Sequence, residues 1–477
     1  MSTAIVWFRR DLRLEDNPAL AAAVAAHDHV LCAYVHAPQE EAPWAPGAAS
    51  NAWLHRSLHA LDIALKRRGA GLSLRQGMSL EQLNGLIRDC DATAVYWNRL
   101  YEPASIRRDK AVKQALRDAG IDAHSFNANL LIEPWSVQTQ GGGPYKVFTP
   151  FWRNVRAQLV AHPPLPAPAG IDAPPVDGDV PLQALDLLPT PRWDEGFDGH
   201  WTPGERGAQA ALARFAEQAL AVYKEGRDRP DREFTSRLSA HLHFGEIGPR
   251  QVVWMLEELR HAQSAKRAVD TEAFVRELGW REFAHHLLYH FPLTPERNLN
   301  PQFDAFAWAR DDAAAIARWQ RGRTGVPIID AGMRQLWKSG WMHNRVRMLV
   351  ASFLTKNLRQ HWHHGARWFW DTLVDADLAN NTQGWQWSAG CGADAAPYFR
   401  IFNPVTQALR FDPQGDYVRQ WVPELRGVPV PLLHQPWKDP ALLKATGYPA
   451  LMVDLGSSRS AALDAYRQSR PTVPASA

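Results

Sequence analysis

Short apolar runs alternate with longer amphipathic ones through the first third of the chain, a pattern that predicts a parallel sheet covered by helices. Residues 5–8, 30–35, 72–74, 94–97 and 123–126 are β-branched or aromatic enough to be strands. Between them, apolar positions at helical spacing mark residues 18–26, 51–68, 80–88 and 103–119. The first of these helices opens on Asn17 and Pro18, a capping residue followed by a proline suited to the first helical position. The order β-α-β-α-β is Rossmann-like. Yet the first strand runs into Arg9, Arg10, Asp11, Leu12 and Arg13 with no GxGxxG, so the backbone cannot approach a pyrophosphate as it does in dinucleotide-binding domains. NAD is a poor fit.

From about residue 161 to residue 191 the chain is rich in Pro, Ala and Asp, a composition that disfavours helix and sheet and reads as an extended connection. After Trp201 the period is helical almost throughout, in runs over 207–222, 249–261, 272–289 and 332–358. The expected plan is an α/β domain over 1–130, a linker over 131–200, a large all-α domain over 201–465 and a polar tail over 466–477 that frays at its end. A chain of 477 residues exceeds what one core usually organises, so two domains are also the prior from length, with room to enclose a large cofactor.

Composition narrows the partners. The start of the chain lacks the long apolar stretch of a secretory signal, and no later run is long enough to span a bilayer, so the expectation is a cytoplasmic protein with no membrane partner. Cys32, Cys90 and Cys391 are odd in number, far apart and outside any CxxC spacing, which argues for reduced, packed thiols. Three histidine groups, His241 and His243, His286 and His290, and His361, His363 and His364, invite a metal reading. It is set aside, because His286 and His290 lack the Glu of HExxH and no cysteine or carboxylate completes a set.

Net charge is only +3, but its distribution is uneven. Between residues 321 and 360 lie Arg321, Arg323, Arg334, Lys338, Arg345, Arg347, Lys356 and Arg359 against Asp330 alone, a local balance of +7. Such a segment suits phosphate contacts; it equally suits a solvated helix face whose acidic partners come from elsewhere. Tryptophan is also in excess, with 21 residues, most of which core packing explains.

Two stretches carry candidate chemistry. Thr235, Ser236, Arg237, Leu238 and Ser239 place three hydroxyls and a guanidinium where a helix should begin, a setting for a phosphate or for ordinary N-caps. Residues 375–387 (DADLANNTQGWQW) pack two carboxylates, two Asn amides and two indoles into thirteen positions, an odd recipe for a core. These stretches, together with FTSRLSAHLHFGE (234–246), ELGWREF (277–283), GWMHNRVRM (340–348), IVWFRRDLRLEDNPAL (5–20) and GADAAPYFRIFNP (392–404), resemble the photolyase and cryptochrome family over nearly the whole chain.

The resemblance implies a light-driven flavoenzyme that repairs cyclobutane pyrimidine dimers in UV-damaged DNA, acting as a monomer with one FAD. It places Tyr223 and Thr235, Ser236, Arg237, Leu238 and Ser239 around the FAD diphosphate, and Arg281, Arg347, Asp375, Ala376 and Asp377 around the ribityl chain and isoalloxazine. It sets Asn381 opposite the flavin N5, where a neutral amide accepts a hydrogen bond without adding charge beside an anionic reduced flavin. Read alone, Asn381 is equally a helix cap.

For the lesion, Glu277 and Trp280 share one helix face, and Asn344 and Met348 share another, as two walls of a pocket for flipped bases. The resemblance gives Glu277 the dimer carbonyls, with a protonated form favoured by burial, and Asn344 the bridge between flavin and substrate. Read alone, Trp280 and Met348 are core residues and Glu277 is a partner for Arg281. Arg227, Arg345, Trp387 and Arg400 match or lie near DNA-contacting positions of the family, and Trp385, Trp362 and Trp308 match its electron-carrying tryptophans.

Two relatives compete. Signalling cryptochromes usually append a long tail and, in plants, carry Asp where Asn381 stands; enzymes acting on the (6-4) photoproduct carry histidines where Asn344 and Met348 stand. HLHFGE (241–246) also resembles plant cryptochromes, which suggests a branch of dimer photolyases close to them. An antenna chromophore is implied by the family, with 5,10-methenyltetrahydrofolate favoured and a deazaflavin as the alternative. Ala104 and Ser105 stand where some folate-using relatives have an Asn-Glu pair.

Overall fold

The computed structural model describes residues 1–261, 265–395 and 399–469. Its first element, β1 (Thr3–Phe8), is buried at every position, as a strand covered on both faces must be. With β2 (His29–His36), β3 (Leu72–Gln76), β4 (Ala94–Asn98) and β5 (Asp122–Phe126) it forms a parallel sheet in the order β3-β2-β1-β4-β5. The crossovers are α1 (Pro18–Ala26), α2 (Ala48–Lys66), α3 (Ser79–Cys90) and α4 (Pro103–Asp118). Asn17 caps α1 by accepting from Leu20 N, with Pro18 at its start, as the sequence predicts.

Strand order reverses beside β1, where an open α/β sheet usually leaves its ligand crevice. Here it carries a network of polar side chains. Asn98 Nδ2 donates to Asp11 Oδ2 at 2.6 Å and to Asn17 Oδ1 at 2.7 Å, and Arg9 donates to the Asn98 carbonyl and to Asp109 at 3.0 Å. These polar side chains hydrogen-bond to one another at the carboxyl ends of β1 and β4.

The stretch read as a linker does more than connect. It contains α5 (Phe148–Gln158), whose Phe148, Phe151 and Trp152 pack into one cluster with Phe274, Leu278 and Phe283. Further on, Val180 N donates to Leu74 O at 3.0 Å, laying the chain along the free edge of β3.

The second half is helical: α6 (Glu205–Gln218), α7 (Tyr223–Gly226), α8 (Ser239–His243), α9 (Pro249–His261), α10 (Ala265–His290), α11 (Ala313–Gln320), α12 (Pro327–Ser339), α13 (Asn344–Ser352), α14 (Trp362–Thr372) and α15 (Leu378–Ala389), with Leu455–Gln468 last. That last helix reaches into the stretch read as a tail, and residues 470–477 lie outside the described ones. The single helical run expected over 332–358 divides at Gly340, which ends α12 at φ 66°, a left-handed conformation that favours glycine.

The two halves share a core. Ala240, Phe244, Trp341 and Val374 belong to the same apolar cluster as β1 and α2. Arg13, fully buried, donates to Gly245 O at 2.9 Å, Asp16 O at 2.7 Å and Ala128 O at 3.0 Å. Leu14 N and Glu15 N donate to Glu205 at 3.0 and 2.8 Å, and Trp53 Nε1 donates to Glu246 at 3.0 Å. The motif 5–20 is thus one side of the interface and HLHFGE is the other.

Candidate functional site

The carboxylate-rich stretch turns from loop to helix at Asp377, the N-cap of α15, which accepts from Asn380 N at 2.8 Å and Asn380 Nδ2 at 2.7 Å. Since Asp377 takes the cap, Asn381 stands inside the helix and is not a capping residue. Its Nδ2 donates to Ala366 O of α14 at 2.9 Å, while its Oδ1 is buried with no hydrogen-bond partner. A buried, unpartnered acceptor is costly unless a donor arrives, and the N5–H of a reduced flavin is a donor of that kind.

Around this oxygen the expected cofactor residues form one connected set. Asp375 accepts from Arg347 Nη2 at 3.0 and 2.8 Å, while Arg347 Nε donates to Met342 O at 2.8 Å. Ala376 is buried between the two carboxylates. Asp377 Oδ2 lies 3.4 Å from His285 Nε2 and 3.6 Å from His243 Nδ1. Burial works against its charge, but these histidines prevail and hold Asp377 well below the usual carboxylate range. Arg281, one turn before His285 on α10, donates to Asn129 O at 2.7 Å.

The hydroxyl-rich segment departs from expectation. The helix begins at Ser239 and runs for only five residues, so Thr235, Ser236, Arg237 and Leu238 form an irregular turn before it. Ser236 Oγ accepts from Leu238 N at 3.3 Å, and Arg237 adopts φ 58°. The Arg237 guanidinium lies over the rings of Trp341 at 4.1 Å and Trp201 at 4.7 Å, so indoles hold it in place. Trp341 in turn lies 5.9 Å from Arg347, which joins this turn to Asp375. Tyr223 is buried against Phe215 and Phe274, at centroid distances of 5.5 and 5.2 Å.

The proposed lesion face comes from α10 and α13. Glu277 pairs with Arg227, and Arg281 points elsewhere, so the i,i+4 pairing within α10 is not made. Burial opposes the Arg227 charge, yet the Glu277 hydrogen bond outweighs it and raises the Arg227 pKa. The carboxylate is therefore bound to a guanidinium, a different setting from the apolar one expected to favour its protonated form. Trp280 stacks on Phe148 with centroids 3.6 Å apart and rings within 8° of parallel. Asn344 is exposed at the start of α13 and Met348 is half-buried one turn later.

Three of the eight cations of the basic segment are matched by acids from elsewhere. Arg334 pairs with Glu424 at 2.7 Å, Arg345 with Asp228 at 2.8 Å and Arg347 with Asp375 at 2.8 Å. Lys356 is buried, donates to Ala389 O and lies 3.3 Å from the centre of the Phe399 ring. Of the other four, Arg321, Arg323 and Lys338 are exposed and Arg359 is half-buried. Arg400 is exposed with its guanidinium 5.2 Å from the Trp387 ring.

The three tryptophans read as an electron route grade from inside to outside. Trp385 is buried against Gly365 and Phe369, with a centroid distance of 5.0 Å to the latter. Trp362, three residues before Gly365 on α14, is buried and donates to Asn298 Oδ1 at 3.0 Å. Trp308 is partly exposed, 4.9 Å from His361, whose ring stacks 5.7 Å from Trp362.

Sequence reasoning missed His243, His285, Trp341 and Phe148. His285 follows Arg281 by four residues and so shares its helix face, a signal that was available. Phe148 lies within the presumed linker and gave no such sign. No group of three or more His, Cys, Asp or Glu that could hold a metal occurs among the described residues, and none of their helices is long and apolar enough to cross a membrane.

This arrangement, a Rossmann-like domain locked to a helical one with a polar cluster near Asn381, meets its match in known proteins. Residues 4–169 match the family described as DNA photolyase, and residues 274–468 match the FAD binding domain of DNA photolyase. The chain belongs to the photolyase and cryptochrome family. It is 48% identical to the deoxyribodipyrimidine photo-lyase of Agrobacterium fabrum, with 98% of each chain covered. It is 38% identical to Cryptochrome-1 of Arabidopsis thaliana over 98% of this chain and 70% of that one. Its fold superposes on the crystal structure of a bacterial class III photolyase from Agrobacterium tumefaciens with a TM-score of 0.93, at 46% identity and 98% coverage of both.

Proposed function

We propose that the protein is a light-dependent DNA repair enzyme, a deoxyribodipyrimidine photo-lyase that splits cyclobutane pyrimidine dimers. The observation that carries the reading is the buried, unpartnered Oδ1 of Asn381, set in a pocket whose other polar groups are positioned by one another. The full-length likeness to photo-lyases gives that pocket its cofactor, FAD. When bound and reduced, FAD supplies the photoexcited electron that opens the dimer.

The chain's own residues do the rest. Asn381 accepts a proton-bearing nitrogen without adding charge, and the turn from Thr235 to Ser239 offers backbone N–H groups and hydroxyls to the diphosphate. Trp280, fixed by Phe148, gives the flipped bases a flat wall, and Met348 gives a soft apolar one. Asn344, exposed at the pocket rim, reaches both flavin and lesion. Glu277 and the Arg227 guanidinium paired with it line the face that meets the dimer, the guanidinium offering N–H donors where negative charge develops. Arg345 and Arg400 meet the phosphate backbone, with Trp387 supporting Arg400. Trp385, Trp362 and Trp308 refill an oxidised flavin with electrons from the surface.

The antenna chromophore is 5,10-methenyltetrahydrofolate in this reading. Trp7 Nε1 and Ser105 Oγ are buried polar atoms without hydrogen-bond partners near the ends of β1 and β4, where a folate ring would find donors.

The deciding assay illuminates the reduced protein with an oligonucleotide carrying one thymine dimer. Intact thymines recovered only in the light are expected; flavin bound and reduced without recovery would transfer the chain to the cryptochrome reading. The same preparation's absorption spectrum separates a methenyl-folate from a deazaflavin or from flavin alone.

A further inference from the structure

Asp377 is surrounded by more donors than a helix cap requires. Its Oδ1 already accepts twice from Asn380, at 2.8 and 2.7 Å, and its Oδ2 still faces His285 Nε2 at 3.4 Å and His243 Nδ1 at 3.6 Å. A buried carboxylate so placed stays ionised and needs a counter-charge.

His285 is buried as well, and both its ring nitrogens face acceptors. Nδ1 lies 3.0 Å from the carbonyl oxygen of Arg281, one turn earlier on α10. A carbonyl only accepts, so Nδ1 carries a proton; an ionised carboxylate only accepts, so Nε2 carries one too. Two protons make an imidazolium. We propose that His285 is held as an imidazolium and is the counter-ion of Asp377, a positioning residue that keeps the cap of the Asn381 helix ionised while leaving no uncompensated negative charge beside the flavin. The inference rests on the flavin reading of this pocket.

The other charges around the pair do not substitute for His285. Arg347 is cancelled by Asp375 at 2.8 Å. Arg281 is held by Asn129 O and lies 3.4 Å from Glu282, whose carboxylate also accepts from Leu131 N at 2.9 Å. Arg10, the cation of the first domain that feels Asp377, pairs with Glu102 at 2.6 Å. His243 Nδ1, at 3.6 Å from Asp377 Oδ2, is the second histidine facing the carboxylate and lies farther from it than His285. With a neutral side chain at 285, the Asp377 charge would repel the negative charge of a reduced flavin, and reduction would become harder. Burial pulls the His285 pKa down, but Asp377 overcomes it and raises it, so the positive charge persists past the ordinary histidine range and is lost as pH rises through the shifted value.

Two measurements test this on the FAD-loaded, full-length protein in the dark. In 15N spectra of histidine-labelled protein at pH 8, one histidine should show both nitrogens protonated, and the signal should vanish in His285→Gln. By spectroelectrochemistry, His285→Gln should weaken binding of fully reduced relative to oxidised FAD about tenfold, a fall of about 30 mV in the two-electron potential, and His285→Arg should restore the wild-type potential. A neutral histidine signature at position 285 overturns the proposal, and so does an unchanged potential in His285→Gln. Should His285→Gln fail to fold, the wild-type spectrum and the potential of His285→Arg decide: the imidazolium signature with a retained potential supports the counter-ion, and the lack of either overturns it. Failure of the flavin reading looks different, since the folded chain would then bind FAD in neither redox state, and the counter-ion role would fall with it.

Discussion

The guanidinium of Arg227 donates to the carboxylate of Glu277, tying the end of α7 to the face of α10 that the lesion is proposed to meet. The pair changes what Arg227→Ala should do. Removing Arg227 leaves Glu277 half-buried with an unmatched charge, so affinity for dimer-containing DNA should fall roughly tenfold, about 1.4 kcal/mol. Adding Glu277→Gln should recover most of that loss, because the stranded charge goes with it. Anisotropy titrations of the two single variants and the double variant give the coupling; strictly additive losses would mean that the two residues act separately.

Glu277→Ala alone should lower repair per absorbed photon much more than it lowers flavin content. Quantum yield measured at equal FAD occupancy checks this, and a yield equal to wild type would remove Glu277 from the reaction.

Trp385→Phe should stop light-driven reduction of oxidised flavin and leave repair by pre-reduced protein largely intact. Gly365 supplies a second handle: a methyl group there would lie 1.9 Å from the Trp385 ring. Gly365→Ala should therefore displace the indole, costing about 1–3 kcal/mol by overpacking and slowing photoreduction, which transient absorption resolves.

Affinity for DNA should fall as salt rises, and the charge pairing of the basic segment predicts where it can be tuned. Arg345 shares its charge with Asp228 at 2.8 Å and lies 4.5 Å from the centre of the Phe411 ring. Asp228→Asn should tighten binding and steepen the salt slope, whereas Arg345→Ala should do the reverse. Equal slopes in all three proteins would show that Arg345 faces away from the phosphates.

Acid should loosen the fold through His343. Burial pushes this imidazole down to about 3, with Asp228 partly opposing and Arg345 and Arg347 adding to the shift. Its folded pKa lies below the unfolded one, so the stability tied to the neutral ring is complete above the ordinary histidine value and is lost as pH falls toward about 3. The slope is of the order of 1.4 kcal/mol per pH unit for one such group. His343→Asn keeps an acceptor for Arg345 N while removing the titration. Melting temperatures between pH 8 and 4 should fall less steeply in that variant; parallel curves would locate the acid sensitivity elsewhere.

Local rules made the first half of the fold legible. Strand positions, the Asn17 cap and the crossover helices follow from period and capping, which act over a few residues. The second half was legible in kind but not in its joints: Gly340 divides a run whose apolar period continues across it, and α5 hides in a stretch flanked by prolines. At the site, residue types near Asp375 and Asn381 announced unusual chemistry. Their partners did not, because Ala366, Asp228 and Arg227 are joined to Asn381, Arg345 and Glu277 only by tertiary contact. The count of +7 misled for the same reason, since Glu424, Asp228 and Asp375 come from outside the segment that was summed.

Arg13 makes the two halves a matched pair. Its guanidinium is shut between carbonyls of both halves, and Gly245, at φ 62°, passes so near Arg10 that any side chain would collide with the backbone there. Replacing either half alone would break these contacts, so the two halves of this chain are fitted to each other at one seam.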